Sequence, residues 1–173
     1  MKKILLSILL LSFGFAVMAQ DAKPTKDQTI EYLVNFLNHY ESDKKVTLPG
    51  QVEAHYIHKL NSFSIKDCQV SLQAFYYHTS NMSDKITQRT TEFSFNLTDV
   101  EKVDLSSTKL GDYITYFINI TAHNKKKNFS SKEVGQTETY TDSISFSIPN
   151  DEKIIQAFNH LRKLCGAPEP IKF

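Results

Sequence analysis

The chain has 173 residues with 20 basic and 19 acidic side chains, a near balance that gives no global electrostatic drive toward nucleic acid or anionic membranes. Its length suits one domain with its own core. Eight tyrosines and twelve phenylalanines, no tryptophan and only five glycines, with serine and threonine plentiful, favour β-structure over disorder.

The chain opens MKKILLSILLLSFGFAVMAQ, in which Lys2 and Lys3 form a positive start and Ile4 to Phe15 a short apolar run. Val17 and Ala19 are the small residues that a signal peptidase accepts. The expectation is a signal peptide over residues 1–19, cleaved after Ala19, and a single β-rich domain over residues 20–173. The apolar run is shorter than the roughly 20 residues a membrane-spanning helix needs. No cysteine lies near the cleavage point, so no lipid attachment is expected there. The Ala-Gln ending resembles the leaders of exported Bacteroidetes proteins, which implies a periplasmic or secreted location. Loss of Lys2 and Lys3 leaves 18 basic residues against 19 acidic ones.

After a loose lead-in, Thr25-Lys26-Asp27-Gln28 matches a capping box. Ile30, Leu33, Val34 and Leu37 follow at helical spacing, so residues 26–40 are expected to form an amphipathic helix whose other side carries Glu31, Asn35, Asn38 and His39. Residues 42–51 are polar, contain Pro49-Gly50, and are expected to be a loop. The period then changes to that of strands. Val52, Ala54, Tyr56 and Leu60 alternate with Glu53, His55 and Lys59; Cys68, Val70, Leu72, Ala74 and Tyr76 alternate with Gln69, Ser71 and Gln73. Asn81 to Asp84 make a turn. Ile86 to Leu97 form a strand with Phe93, Phe95 and Leu97 on one face, and Val100, Val103 and Leu105 mark a short one. After a turn at SSTKLGD, Ile114, Tyr116, Ile118, Ile120 and Ala122 share a face. Asn124 to Gly135 should be a hairpin tip, and Gln136 to Ile148 a final strand with Ile144, Phe146 and Ile148 inward.

The last predicted element is a helix over about 150–165. Asn150 can cap it, and Asp151 and Glu152 suit the positive end of its dipole. Ile154, Phe158, Leu161 and Cys165 run down one face, flanked by Ala157 and Leu164. Arg162 and Lys163 suit the last turn, Gly166 the C′ position, and Pro168 stops continuation. Cys165 thus joins the inward stripe of a helix, and Cys68 the inward face of a strand. In an exported chain an even cysteine count makes a Cys68–Cys165 disulfide possible, closing almost a hundred residues and adding at most about 4 to 5 kcal/mol. The alternative is two separate buried thiols, since sequence does not supply the Cα separation.

Catalytic signals are absent from the sequence. His55-Tyr56-Ile57-His58 has an H-x-x-H spacing, but on a strand residues three apart face opposite sides, so no metal ligands are assigned. No G-x-S-x-G elbow, S-x-x-K pattern, carboxylate pair or glycine-rich phosphate loop stands out, and no cofactor or catalytic residue is assigned. Lys125, Lys126 and Lys127, with Lys132 and with Phe129 at the tip, could touch an acidic surface or lipid headgroups. A solvated hairpin end is the preferred reading. Phe75, Tyr76 and Tyr77, with Tyr113 and Tyr116, could line a ligand groove or serve as core and cross-strand pairs. No ligand-binding residue is assigned.

The stretch FNLTDVEKVDLSS, residues 95–107, and the later KIIQAFNHLRKLCG helix carry a pattern that resembles a pleckstrin-homology-like barrel. The pattern is also similar to small exported proteins of Flavobacteria without an assigned role. The residues from Asn61 to Asp67 do not match the basic first hairpin of phosphoinositide-binding members, so lipid-headgroup binding is not implied. The expected fold is α+β: a six-to-seven-stranded antiparallel barrel or sandwich with an N-terminal helix and a packed C-terminal helix. The expected role is that of an exported, non-enzymatic envelope protein binding a protein partner or a small hydrophobic ligand. The alternative is a hydrolase whose site is assembled from dispersed Ser, His and Asp residues. A terminal Phe173 suggests an outer-membrane barrel, against which stands the helical last element.

Overall fold

A computed structural model describes residues 23–169; the expected leader, residues 1–19, and Phe173 lie outside the described residues. Among the described residues the order is α1 (Lys26–Leu37), β1 (Glu41–Leu48), β2 (Val52–Lys66), β3 (Gln69–Ser80), β4 (Ser83–Asn96), β5 (Val100–Leu110), β6 (Tyr113–Ala122), β7 (Phe129–Glu133), β8 (Thr139–Thr141), β9 (Ser143–Ile148) and α2 (Glu152–Leu164). All paired strands are antiparallel, in a six-stranded sheet β1-β2-β3-β4-β7-β8 and a three-stranded sheet β5-β6-β9. The α+β class therefore holds, while a closed barrel does not. The chain changes sheets at Asp142, between β8 and β9, and β1, β8, β5 and β9 remain edges. No described helix is long and apolar enough to cross a membrane.

α1 starts at the predicted capping box: the Gln28 N–H donates to Thr25 Oγ1 at 3.3 Å and the Thr25 N–H to Gln28 Oε1 at 2.9 Å. It ends at Leu37 rather than residue 40, because Asn38 is recruited by β2. The Asn38 amide donates to Phe63 O at 2.9 Å, and its Oδ1 accepts from the Phe63 N–H at 2.6 Å. These bonds satisfy the backbone of β2 where β1 no longer runs beside it. The pairing of β2 with β3 shifts register between Leu60 and Ser62, so the buried parity changes from Ala54, Tyr56, His58 and Leu60 to Phe63.

The expected loop over residues 42–51 is largely β1, an edge strand. Its Asp43, Lys44 and Lys45 are exposed, as a polar edge should be, and this hid it from a search for apolar alternation. Asn124 to Gly135 is not a free hairpin tip either. Phe129 begins β7 and is fully buried, 5.3 Å from the Phe95 ring, so it is unavailable as an exposed anchor beside the exposed Lys125, Lys126 and Lys127. The single expected strand over residues 136–148 divides into β8 and β9, one in each sheet.

The main core joins Leu33 and Leu37 of α1, Val70 and Leu72 of β3, Phe95 of β4, Ile118 and Ile120 of β6, Ile144, Phe146 and Ile148 of β9, and Ile154, Phe158 and Leu161 of α2. α2 lies against α1, β5 and the short turn Leu97–Asp99. Its cap is Asp151 rather than Asn150: Asp151 Oδ1 accepts from the Lys153 N–H at 2.9 Å. At the other end the Gly166 N–H donates to Lys163 O and the Ala167 N–H to Arg162 O, a Schellman closure that needs the positive φ of +84° at Gly166. Arg162, expected only to complement the dipole, is 2 % exposed and donates to Val100 O and Pro168 O, each at 3.0 Å.

Cys68 is bonded to Cys165, with Cα atoms 5.9 Å apart, inside the range a disulfide spans. Cys68 is not on β3 but in the two-residue turn before it. Asp67 and Cys68 have φ of +50° and +65°, the left-handed pair a tight hairpin turn requires. The bond therefore ties the C-terminus of α2 to the β2–β3 turn.

Candidate functional site: a cleft between the two sheets

The pleat places His58, Tyr76 and Arg89 on one rung of the large sheet, because His58 is paired with Tyr76 and Tyr76 with Arg89. The next rung carries Tyr56 and His78, stacked at 4.6 Å. In the small sheet, Thr115 is paired with Thr108, and Phe117 with Ser106 and Ser147. This face meets the large sheet through Tyr113 on Tyr56, at 5.7 Å, and Phe117 edge-on to His58, at 6.1 Å. The use of this second face of β6 corrects the expectation for that strand. Ile118, Ile120 and Ala122 are buried as predicted, but Ile114 is 42 % exposed, while Tyr113 and Thr115 are buried on the opposite side.

Between the main core and a smaller cluster of Ala54, Tyr56 and Tyr113, the sheets separate and leave a cleft of about 420 Å³. That volume lies within the range of small-molecule sites. The floor includes Leu60, Ala74, Tyr76 and Phe93, and the facing wall Thr115, Phe117 and Phe146. Ser147 at the cleft is held by Tyr40, whose hydroxyl lies 2.8 Å from Ser147 Oγ.

His58 is 9 % exposed, and its burial holds the imidazole below its ordinary value, so it is neutral at pH 7. Its contacts are the Tyr76 ring at 5.0 Å and the Phe117 ring at 6.1 Å; among the described residues it has no hydrogen-bond partner. Burial, reinforced by Tyr56, holds the Tyr76 phenol above its ordinary value, with Arg89 acting in the other direction. The Arg89 guanidinium carbon lies 5.4 Å from the Tyr76 ring centroid, a cation–π contact at the exposed end of the rung.

Of the aromatics singled out in the sequence, the cleft face uses Tyr76; Phe75, one residue out of phase with it, lies under Lys59, and Tyr77 lies against His55, with centroids 5.6 Å apart. His55 and His58 fall on opposite faces, and His55 Nε2 pairs with Asp43 Oδ1 at 2.7 Å. That His–Asp pair depends on β1 running beside β2, and reading Asp43 as part of a loop concealed it. No serine hydroxyl bonds to His55 or His58 among the described residues, and Ser42, the register partner of His58, contacts the Tyr113 hydroxyl at 3.4 Å. No three His, Cys, Asp or Glu side chains converge as a metal site among the described residues. Sequence reading missed His58, Arg89 and Phe117 as cleft residues. The available signal was the i, i+2 run Ala54, Tyr56, His58 and Leu60, which places His58 on an otherwise apolar face.

Comparison with known proteins gives no matching family model, no matching curated protein and no matching solved structure.

Proposed function

We propose that this is an exported, non-enzymatic binding protein of the cell envelope that takes a small hydrophobic ligand into the cleft between its sheets. The observation carrying the reading is the neutral His58 imidazole, set among aromatic rings and facing the cleft with no hydrogen bond from the described residues. The His58 ring nitrogens are not sealed off, since His123 Nδ1 is the buried side-chain polar atom left without a partner among the described residues, so a molecule in the cleft can reach and pair with them. The enclosing walls favour a small ligand over a protein partner, whose contact surface is ordinarily broad. The two-sheet arrangement with a C-terminal helix supports the pleckstrin-homology-like likeness as part of the same proposal.

The hydrolase reading draws on the Asp43–His55 pair, which could orient an imidazole as a base. It lacks a bonded nucleophile, so binding is preferred.

The test is a titration with N-phenyl-1-naphthylamine, a neutral dye that fluoresces when removed from water. Saturable binding to the purified protein, lost in Ala74→Phe, which fills the cleft from its floor, is the expected result. Binding that does not saturate, or that Ala74→Phe leaves intact in a folded protein, overturns the proposal. Export is tested separately by N-terminal sequencing of the protein from the envelope or medium, where Gln20 is the expected first residue.

A further inference from the structure

We infer that the cleft selects a planar aromatic monoanion, with its ring system along the His58–Tyr76 rung and its charge on Arg89; this rests on the binding reading above. Three strands carry the rung, so at one strand spacing per step it runs about 10 Å from His58 to Arg89. That is the length of a fused two-ring system with one substituent. The inner part offers aromatic faces, which favour offset or edge contact with another ring. The outer end offers a guanidinium, whose fork matches a carboxylate in two parallel hydrogen bonds.

Charge in the cleft points the same way. Among the described residues, none that lines the cleft is acidic. Arg89 makes no ion pair among the described residues, where the salt bridges join His55 to Asp43, Lys102 to Asp104, His123 to Glu101 and Lys163 to Glu169. The other cation along the cleft, Lys59, lies over Phe75, 5.1 Å from its centroid; Lys59 and Phe75 are register partners displaced by one residue from His58 and Tyr76. Alternation of side chains directs that pair to the opposite face. Arg89 is thus the cation of the binding rung. β7 pairs with β4 over Thr91 to Ser94 and the last backbone contact is the Val134 N–H on Thr90 O, so among the described residues β4 has no strand neighbour on that side at Arg89. An anion can reach the guanidinium there while its ring system enters between the sheets.

The probes are 2-naphthoate and its neutral counterpart 2-naphthylmethanol, titrated calorimetrically into the whole protein at pH 8. The expected result is a preference for the carboxylate of about ten-fold or more, the size of one charge-assisted contact. Arg89→Gln should erase the preference and leave the alcohol's affinity within about two-fold, while Arg89→Lys should keep part of it. Equal affinities in the unmodified protein, or an undiminished preference in Arg89→Gln, overturn the charge assignment while the cleft remains a hydrophobic site. Failure of both probes to bind, together with failure of the neutral dye, overturns the binding reading itself.

Discussion

Replacing Cys68 and Cys165 together by alanine should lower stability chiefly by freeing the unfolded chain. The bonded residues are 97 apart in sequence, and the loop-closure expression gives about 4.7 kcal/mol for a loop of that length. The native state should survive the change, because Ile154, Phe158 and Leu161 are fully buried and hold α2 in place without the bond. For a domain of this size each kcal/mol moves Tm by about 2–4 °C, so Tm should fall by roughly 10–20 °C. The assay is thermal unfolding by far-ultraviolet circular dichroism of the oxidised protein, the dithiothreitol-reduced protein and the double-alanine protein. The two forms lacking the bond should unfold together. Alkylation under non-reducing, denaturing conditions, read by mass spectrometry, should label neither cysteine in the oxidised protein. Labelling of both would refute the pairing. A fall of less than about 1 kcal/mol in a protein shown to be oxidised would refute the loop-closure reasoning.

Two other changes probe the packing. Asn38→Ala removes both hydrogen bonds to the Phe63 backbone and leaves its N–H and C=O unpaired beside the core; a loss of about 2–3 kcal/mol is expected from urea midpoints, with Asn38→Asp intermediate because it keeps the acceptor. A change below about 0.5 kcal/mol would count against this role. His58 supplies a pH dependence. Its folded value is depressed below the ordinary 6.5, so above pH 6.5 the ring is neutral in both states and its contribution is fully present. On acidification the unfolded chain takes up the proton first, and that contribution is lost as pH falls through the folded value. The groups in ring contact with it are Tyr76 and Phe117, and among the described residues no carboxylate lines the cleft to reverse the sign. Urea midpoints should therefore fall less between pH 7.5 and pH 5 in His58→Phe than in the unmodified protein; an equal or steeper fall would refute the assignment.

The elements that could be read directly are those whose signals lie within a few neighbouring residues. The Thr25 capping box, the Gly166 closure and the stripe Ile154, Phe158 and Leu161 each depend on spacing along one helix, and each is in place. The alternation of Val70 and Leu72 likewise identifies a buried strand face. β1 escaped notice because an edge strand is specified by its partner's backbone, which leaves its own side chains free to be polar. The division of residues 136–148 into β8 and β9 follows from which sheet has an open edge at that point in the chain.

Sequence by itself determined the two helices that bracket the strands, the extended middle and which residues of most strands are greasy, because side-chain period is a local property of the chain. Tertiary structure alone decided that Cys68 meets Cys165, that β6 buries different faces along its length, and that His58, Tyr76, Phe117 and Arg89 surround one cleft. The reason is that these depend on strand register and on how two sheets diverge, and both are set by contacts between residues tens of positions apart.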